Sequence, residues 1–213
     1  IKKIMKKRSE ILKITIDSPA AAGAGTQAKL IGKYYNLMVL DTGRCYRYVA
    51  YIKITEPSKY NYKHIKKKIS KLKMKDLQNK RLSSDKVATV ASIIAKDKKI
   101  RKLVHAFQLE CAYNPPKKYN GSCLDGRDIG SVVVKSADVK FYITANVKVR
   151  AMRRFKELKA KNKQITYQEV LKSIKKRDKS DINRKISPLK KTKDMHLINS
   201  SSESISTCFM KIK

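Results

Sequence analysis

The sequence predicts an α/β fold built on a parallel β-sheet with helices on both faces. Short apolar runs alternate with longer stretches of helical periodicity along most of the chain. Strands separated by helices pair in parallel, because each crossover is long enough to bring the next strand back in the same direction. Hydrophobic residues make up 41% of the 213 residues, near the ordinary globular level, so a core can be buried. The length suits one compact unit or a core carrying an inserted subdomain.

Taken in order, the apolar, largely β-branched run of Ile11, Leu12, Ile14 and Ile16 predicts a strand over 12–17 that stops at Asp17. A loop of small residues follows, and Gly23-Ala24-Gly25-Thr26 opens a helix predicted over 25–35. Further strands are predicted over 38–40, 122–124, 139–144 and 195–198. Helices are predicted over 44–53, 86–95, 100–112, 148–160 and 167–178. Residues 54–119 differ from the rest. They are lysine-dense, with Pro57 and the Pro115-Pro116 pair at the margins and no convincing central strand, and they read as an inserted subdomain. Within them Ile65, Ile69 and Leu72 fall at helical spacing, so the surrounding lysines form a solvated face. After Asn199 a serine cap precedes Ile205, Cys208, Phe209 and Ile212 on one helical face.

The stretch ITIDSPAAAGAGTQAK holds the first chemical signal. A strand, a small-residue loop and a helix N-terminus place successive backbone N–H groups around one point, as a polyphosphate requires. The phosphate-loop pattern asks for Gly, four residues, Gly-Lys and a hydroxyl residue. Ser18 stands at the first glycine and Ala24 at the lysine. Alone, the stretch reads equally as a phosphate loop or as a plain small-residue turn.

Charge does not choose between partners. Lys and Arg number 52 against 17 Asp and Glu, a net charge of +35. Such a field attracts nucleic acid and nucleotides alike. The basic residues run through every segment, and aromatics are not interleaved with them for base stacking. Cys45, Cys111, Cys123 and Cys208 lie far apart without a C-x-x-C pair, so neither zinc nor a disulfide framework is expected. The basic opening IKKIMKKRSEILKITI lacks an uninterrupted apolar core and a cleavage site. No run approaches the ~20 apolar residues of a membrane span. A soluble, cytoplasmic protein with no membrane contact is the expectation.

Further chemistry lies at the predicted strand ends, where ligands of parallel sheets bind. Leu40-Asp41-Thr42-Gly43-Arg44-Cys45-Tyr46-Arg47 places Thr42 and Arg47 to grip one anion. Leu124-Asp125-Gly126-Arg127-Asp128 puts Asp125 beside the loop, where a carboxylate can hold a magnesium-bound water, and points Arg127 and Asp128 into the same cleft. A plain Asp-Gly turn is the other reading. In KRDKSDINR, Arg177, Asp181 and Arg184 share one helical face, and Arg150, Arg153 and Arg154 cluster upstream. Salt-bridged surface helices produce such patterns too. In a lysine-saturated chain, however, arginine at these spots points to a need for planar, bidentate geometry.

Together these pieces resemble the bacterial cytidylate kinases, nucleoside monophosphate kinases among the P-loop NTPases. The matching text is ITIDSPAAAGAGT, LDTGRCYRYVA, VATVAS, IRKLVHAFQ, LDGRDIGSVVV, ADVKFYITA, RAMRRFKEL and KKRDKSDINRKISPL, in the family's order from about residue 14 onward. The resemblance implies a three-layer P-loop NTPase core (11–53, 120–144, 190–213), a nucleoside-monophosphate-binding insert (54–119) and a helical lid (145–189). It implies transfer of the γ-phosphoryl group of ATP to CMP or dCMP with Mg²⁺, by a monomer with no specific nucleic-acid partner.

Position by position, Ala21, Ala22, Gly23, Ala24, Gly25 and Thr26 would cradle ATP, with Arg153 on the donor side. Thr42, Tyr46, Arg47, Ser92 and Arg101 would receive CMP, Ser92 and Arg101 reading the cytosine ring. Arg127 and Arg184 would clamp the acceptor phosphate, Asp128 and Asp181 the ribose, and Arg177 would stabilise the moving group. Arg127, Arg177 and Arg184 are thus the catalytic set, while Thr26 and, through water, Asp125 would position Mg²⁺.

Ala24 departs from the pattern, since it cannot follow charge from the β- to the γ-phosphate. Three readings stand: an active CMP/dCMP kinase, a catalytically impaired nucleotide binder on the same fold, and a charge-driven nucleic-acid-binding protein. Arg44 is expected to face the phosphates and compensate. Lys29, one turn into the helix, is expected to face away.

Overall fold

The computed structural model describes residues 11–161 and 164–213. The reading of residues 1–10 lies outside them. The sheet has five strands in the order β2-β3-β1-β4-β5, all neighbours parallel. They are β1 (Leu12–Asp17), β2 (Leu37–Asp41), β3 (Gly121–Gly126), β4 (Val139–Thr144) and β5 (His196–Asn199). The helices are α1 (Ala24–Tyr35), α2 (Gly43–Thr55), α3 (Tyr62–Ser70), α4 (Asp85–Ile94), α5 (Lys98–Tyr113), α6 (Val147–Lys159), α7 (Tyr167–Asn183) and α8 (Ile205–Ile212).

Each face of the sheet carries its own core. On one face α1 and α8 deliver Ala28, Ile31, Cys208 and Ile212 to Ile14, Ile16, Phe141 and Ile143. On the other, α2, α4 and α5 deliver Val49, Ala91 and Val104 to Leu40 and Leu124. β1 alternates apolar and polar residues (LKITID), yet Thr15 and Asp17 are as buried as Leu12, Ile14 and Ile16, because the strand is central and covered on both faces. A third, smaller cluster lies between α6 and α7, built on Ala151, Leu158, Val170 and Ile174.

Residues 54–119 are helical throughout their regular elements, with short 3₁₀ turns at Pro57–Lys59, Asp76–Gln78 and Lys80–Ser83. Ile65, Ile69 and Leu72 are buried at the predicted helical spacing, and α3 spans the lysine-rich segment. Two expectations need correction. Ile205 is 61% exposed, so α8 buries Cys208 and Ile212 instead of all four apolar residues. Arg184 is not on the helix of Arg177 and Asp181: α7 ends at Asn183 and Arg184 leaves in extended backbone (φ −66°, ψ 137°).

The topology leaves a crevice at the carboxyl ends. β1 sits mid-sheet; its connection runs outward past β3 to β2, while the connection after β3 crosses to β4 on the other side. The loops after β1 and β3 therefore diverge, and a ligand fits where they part.

Candidate active site

The loop after β1 has the shape its residues promise and some strain they do not advertise. Gly23 (φ 92°) caps α1, and its carbonyl accepts from the N–H groups of Thr26 and Gln27 (both 3.1 Å). Ala21 also adopts left-handed backbone (φ 58°) without being glycine, which costs ~1–2 kcal/mol. Ser18 is not among the positive-φ residues, so serine carries no backbone penalty there. Ala24 is buried against the α1 side of the core, and Thr26 is exposed in the first turn of α1.

Asp17 closes the floor of this crevice. Fully buried, it accepts from the N–H groups of Ile129 (2.7 Å) and Gly130 (3.0 Å), tying the phosphate-loop strand to the loop after β3. Burial pushes its carboxyl up to about 7 despite those two amides.

Asp125, the penultimate residue of β3, is in register with Ile16 on one side and Asp41 on the other. Burial, then the Asp41 charge, raises its carboxyl to about 8, while Arg127 and Lys29 pull it down. Thr42 binds the Asp125 carbonyl through its N–H (3.0 Å) and its hydroxyl (2.7 Å). A side chain at Gly126 would meet the Thr42 hydroxyl at 2.4 Å, so glycine here permits a close approach and is not a plain turn residue. A side chain at Gly25 would lie 3.6 Å from Asp125 Oδ2, so the first turn of α1 stands against this carboxylate.

Beyond β3 the arginines converge. Arg101 Nη2 pairs with Asp128 Oδ2, and Arg184 Nη2 lies 3.4 Å from Asp128 Oδ1. Arg127 Nε donates to Asp181 Oδ2 (2.9 Å); Arg177 Nε and Arg184 Nη1 each lie 3.9 Å from the Asp181 carboxylate. The Arg101 guanidinium stands 5.5 Å from the centre of the Tyr46 ring. Residues from α2, α5, α7 and the β3 loop thus share one basin. Arg177 keeps 46% of its side-chain surface accessible, and the neighbouring Arg127 charge is the main cause that lowers it to about 10. Burial likewise lowers Arg184 from its usual range.

Other site residues lie at the margin. Arg47 Nη1 donates to the Leu82 carbonyl (2.9 Å). Ser92 is exposed on α4 and its hydroxyl donates to the Thr89 carbonyl (2.7 Å). Arg153 binds Ser200, through Oγ (3.0 Å) and the carbonyl (2.5 Å). One reading is overturned. Arg44 does not face the phosphate crevice: its guanidinium donates to the carbonyls of Leu77 and Asn79, because α2 packs against those turns. Lys29 lies one turn beyond Gly25 on α1, and its charge helps to lower the Asp125 carboxyl. Sequence reasoning also missed Asp17, Asp41 and the strain at Ala21. A carboxylate ending a buried strand was the available signal for the first; alanine gives none for the last.

The cytidylate kinase family model matches residues 14–212. The chain belongs to the cytidylate kinase family. Its curated relatives include cytidylate kinases of Bartonella tribocorum (42% identical, covering 92% of this chain and 90% of the relative), Clostridium botulinum (39%; 94% and 95%) and Mesorhizobium japonicum (37%; 95% and 92%). The fold is also similar to a crystal structure of an uncharacterized protein from Eubacterium ventriosum, with a TM-score of 0.54 and 14% identity over 95% of this chain and 96% of that one. Membership makes the chain a nucleoside monophosphate kinase, a phosphotransferase, and gives the α/β sheet and its loop their place as a P-loop kinase core.

Proposed function

We propose that this cytidylate kinase transfers the γ-phosphoryl group of ATP to CMP or dCMP, the acceptor bound over the arginine basin and the donor over the loop after β1. The convergence of Arg101, Arg127, Arg177 and Arg184 on two carboxylates, Asp128 and Asp181, carries the reading. Four guanidinium groups around two carboxylates leave a net positive basin that a phosphate monoester completes. Arg127 and Arg184 bind the acceptor phosphate, which frees Asp128 and Asp181 to accept from ribose hydroxyls. Arg101, beside the Tyr46 ring, orients the base together with Ser92. Thr42, fixed on the Asp125 carbonyl, and Arg47 border the acceptor side.

Phosphoryl transfer needs in-line placement and neutralisation of the equatorial oxygens more than covalent help. Arg177, exposed and crowded by Arg127, is the cation free to turn toward the moving group. The N–H groups of residues 21–26 cradle the donor phosphates, with Arg153 on the donor side. The residues fit Mg²⁺. Asp125 and Asp41 set two carboxylates side by side, and Thr26 presents a hydroxyl residue in the adjacent turn. Among the described residues no three acidic, His or Cys side chains cluster as a metal site. When bound, Mg²⁺ neutralises charge on the β- and γ-oxygens. The core, insert and lid assigned from the sequence, a monomeric state and a cytoplasmic location complete the proposal; among the described residues no helix is long and apolar enough to cross a membrane.

A coupled ADP-release assay with CMP, dCMP, UMP and AMP tests it. Turnover with CMP and dCMP and little with the others is expected. Equal rates with AMP, or nucleotide binding without turnover, would overturn it.

A further inference from the structure

The three alanines of the phosphate loop, Ala20, Ala21 and Ala22, are each held by residues outside the loop. Ala20 lies in a closed ring of polar contacts. Its carbonyl accepts from Arg150 Nη1 (2.9 Å) and its N–H donates to Asp178 Oδ1 (3.3 Å); the same Arg150 nitrogen lies 2.7 Å from Asp178 Oδ2. Both side chains are nearly buried, at 7% and 13% exposed, and Arg150 is further fixed by donating Nε to the Ala145 carbonyl (2.8 Å). Ala21 packs its methyl against the cluster of Ala151, Leu158, Val170 and Ile174 between α6 and α7. The Ala22 carbonyl accepts from Ser200 Oγ (3.0 Å), and Ser200 is in turn gripped by Arg153 of α6.

These contacts fall where the loop lacks support of its own. Ala21 sits in left-handed backbone that glycine would adopt without cost, and Ala24 offers no ammonium to bind the loop to phosphate. Elements α6 and α7 supply what is missing: a paired guanidinium and carboxylate that grip the carbonyl and the N–H of one residue, and an apolar seat for the strained residue. We infer that Arg150 and Asp178 are positioning residues for the ATP site, a latch through which α6 and α7 hold the phosphate loop in its binding shape. Arg177 precedes Asp178, so the latch also sets how far that arginine stands from the loop. The inference rests on the proposed placement of ATP over the loop.

Two buried, charge-assisted contacts are enough to move nucleotide affinity by about tenfold or more. The test uses the full chain with Arg150→Lys, Asp178→Ala and the double substitution, titrating ATP and CMP separately by calorimetry. Each single variant is expected to raise Kd for ATP about tenfold and leave Kd for CMP within about twofold; the double is expected to be no worse than the weaker single. Asp178→Asn, which keeps an acceptor for the Ala20 N–H, should recover part of the loss. ATP and CMP affinities falling together would reduce the pair to general stability and overturn the latch, as would unchanged ATP affinity. Should the variants not fold, hydrogen exchange on the unsubstituted chain decides: the Ala20 amide is expected to open with α7, and protection outlasting that of α7 overturns the inference. Calorimetry reads binding alone, so a chain that binds both nucleotides without turnover counts against the proposed activity and leaves the latch standing.

Discussion

Position 24 is where the loop departs most consequentially from the phosphate-loop pattern. Ala24 is packed with Ala28 and Ile31, so the charge that should follow the γ-phosphate is missing from the loop itself. Arg44 cannot stand in while it holds the Leu77 and Asn79 carbonyls. Ala24→Lys is therefore expected to raise kcat for CMP phosphorylation about 10²–10³-fold in the coupled assay; an unchanged kcat would mean that another cation already serves. Arg44→Ala is expected to leave kcat within about twofold and lower Tm by about 2–4 °C, the equivalent of ~1 kcal/mol in a chain of this size. Asp17 gives a pH signature. Its folded carboxyl titrates near 7, above the unfolded value, so the native state holds the proton more tightly. The stability this contributes is complete below pH ~4 and is lost as pH rises through 7. Thermal melts of the nucleotide-free chain should show Tm falling from pH 5 to 8. Asp17→Asn should flatten part of that fall while lowering Tm throughout, because an amide NH₂ cannot accept one of the two buried N–H groups.

Among the elements, α7 is the one on which site geometry most depends. It starts at a capping box in which the Thr166 hydroxyl accepts from Glu169 N–H and Glu169 reaches back to Thr166 N–H (2.8 Å). It ends where Asp178 and Asp181 meet the phosphate loop and the arginine basin. Thr166→Ala removes one cap worth ~1 kcal/mol. The expected outcome is faster hydrogen exchange over the first turns of α7 with β1 and β3 unchanged; exchange rising equally in the sheet would mean that α7 does not open on its own. Element type was legible here, because the apolar spacing of α7 and the alternation of strands and helices survive in the sequence. Element ends were less so. Gly126 reads as a turn residue until Thr42 is seen against it, and Arg184 reads as helical although the backbone has already turned away.

For the whole molecule, charge and fold pull toward different partners. A net charge of +35 attracts any polyanion, but attraction spread over many phosphates releases counterions and decays steeply with salt. DNA retention is expected to collapse by about 10³-fold or more between 50 and 200 mM salt, while CMP, held by the arginine basin, loses far less. Comparable losses for both would mean that the basin adds nothing to the general field. The residue types at strand ends and the order of the motifs were enough to place the chain in its family and to name the basin residues, because phosphate chemistry demands glycine, arginine and carboxylate at fixed spacing whatever surrounds them. Folding alone decided which of those side chains are already committed: Arg44 to two carbonyls, Arg153 to Ser200, Arg150 and Asp178 to Ala20. These contacts join residues up to 158 positions apart, and no local pattern records a partner that only tertiary packing brings near.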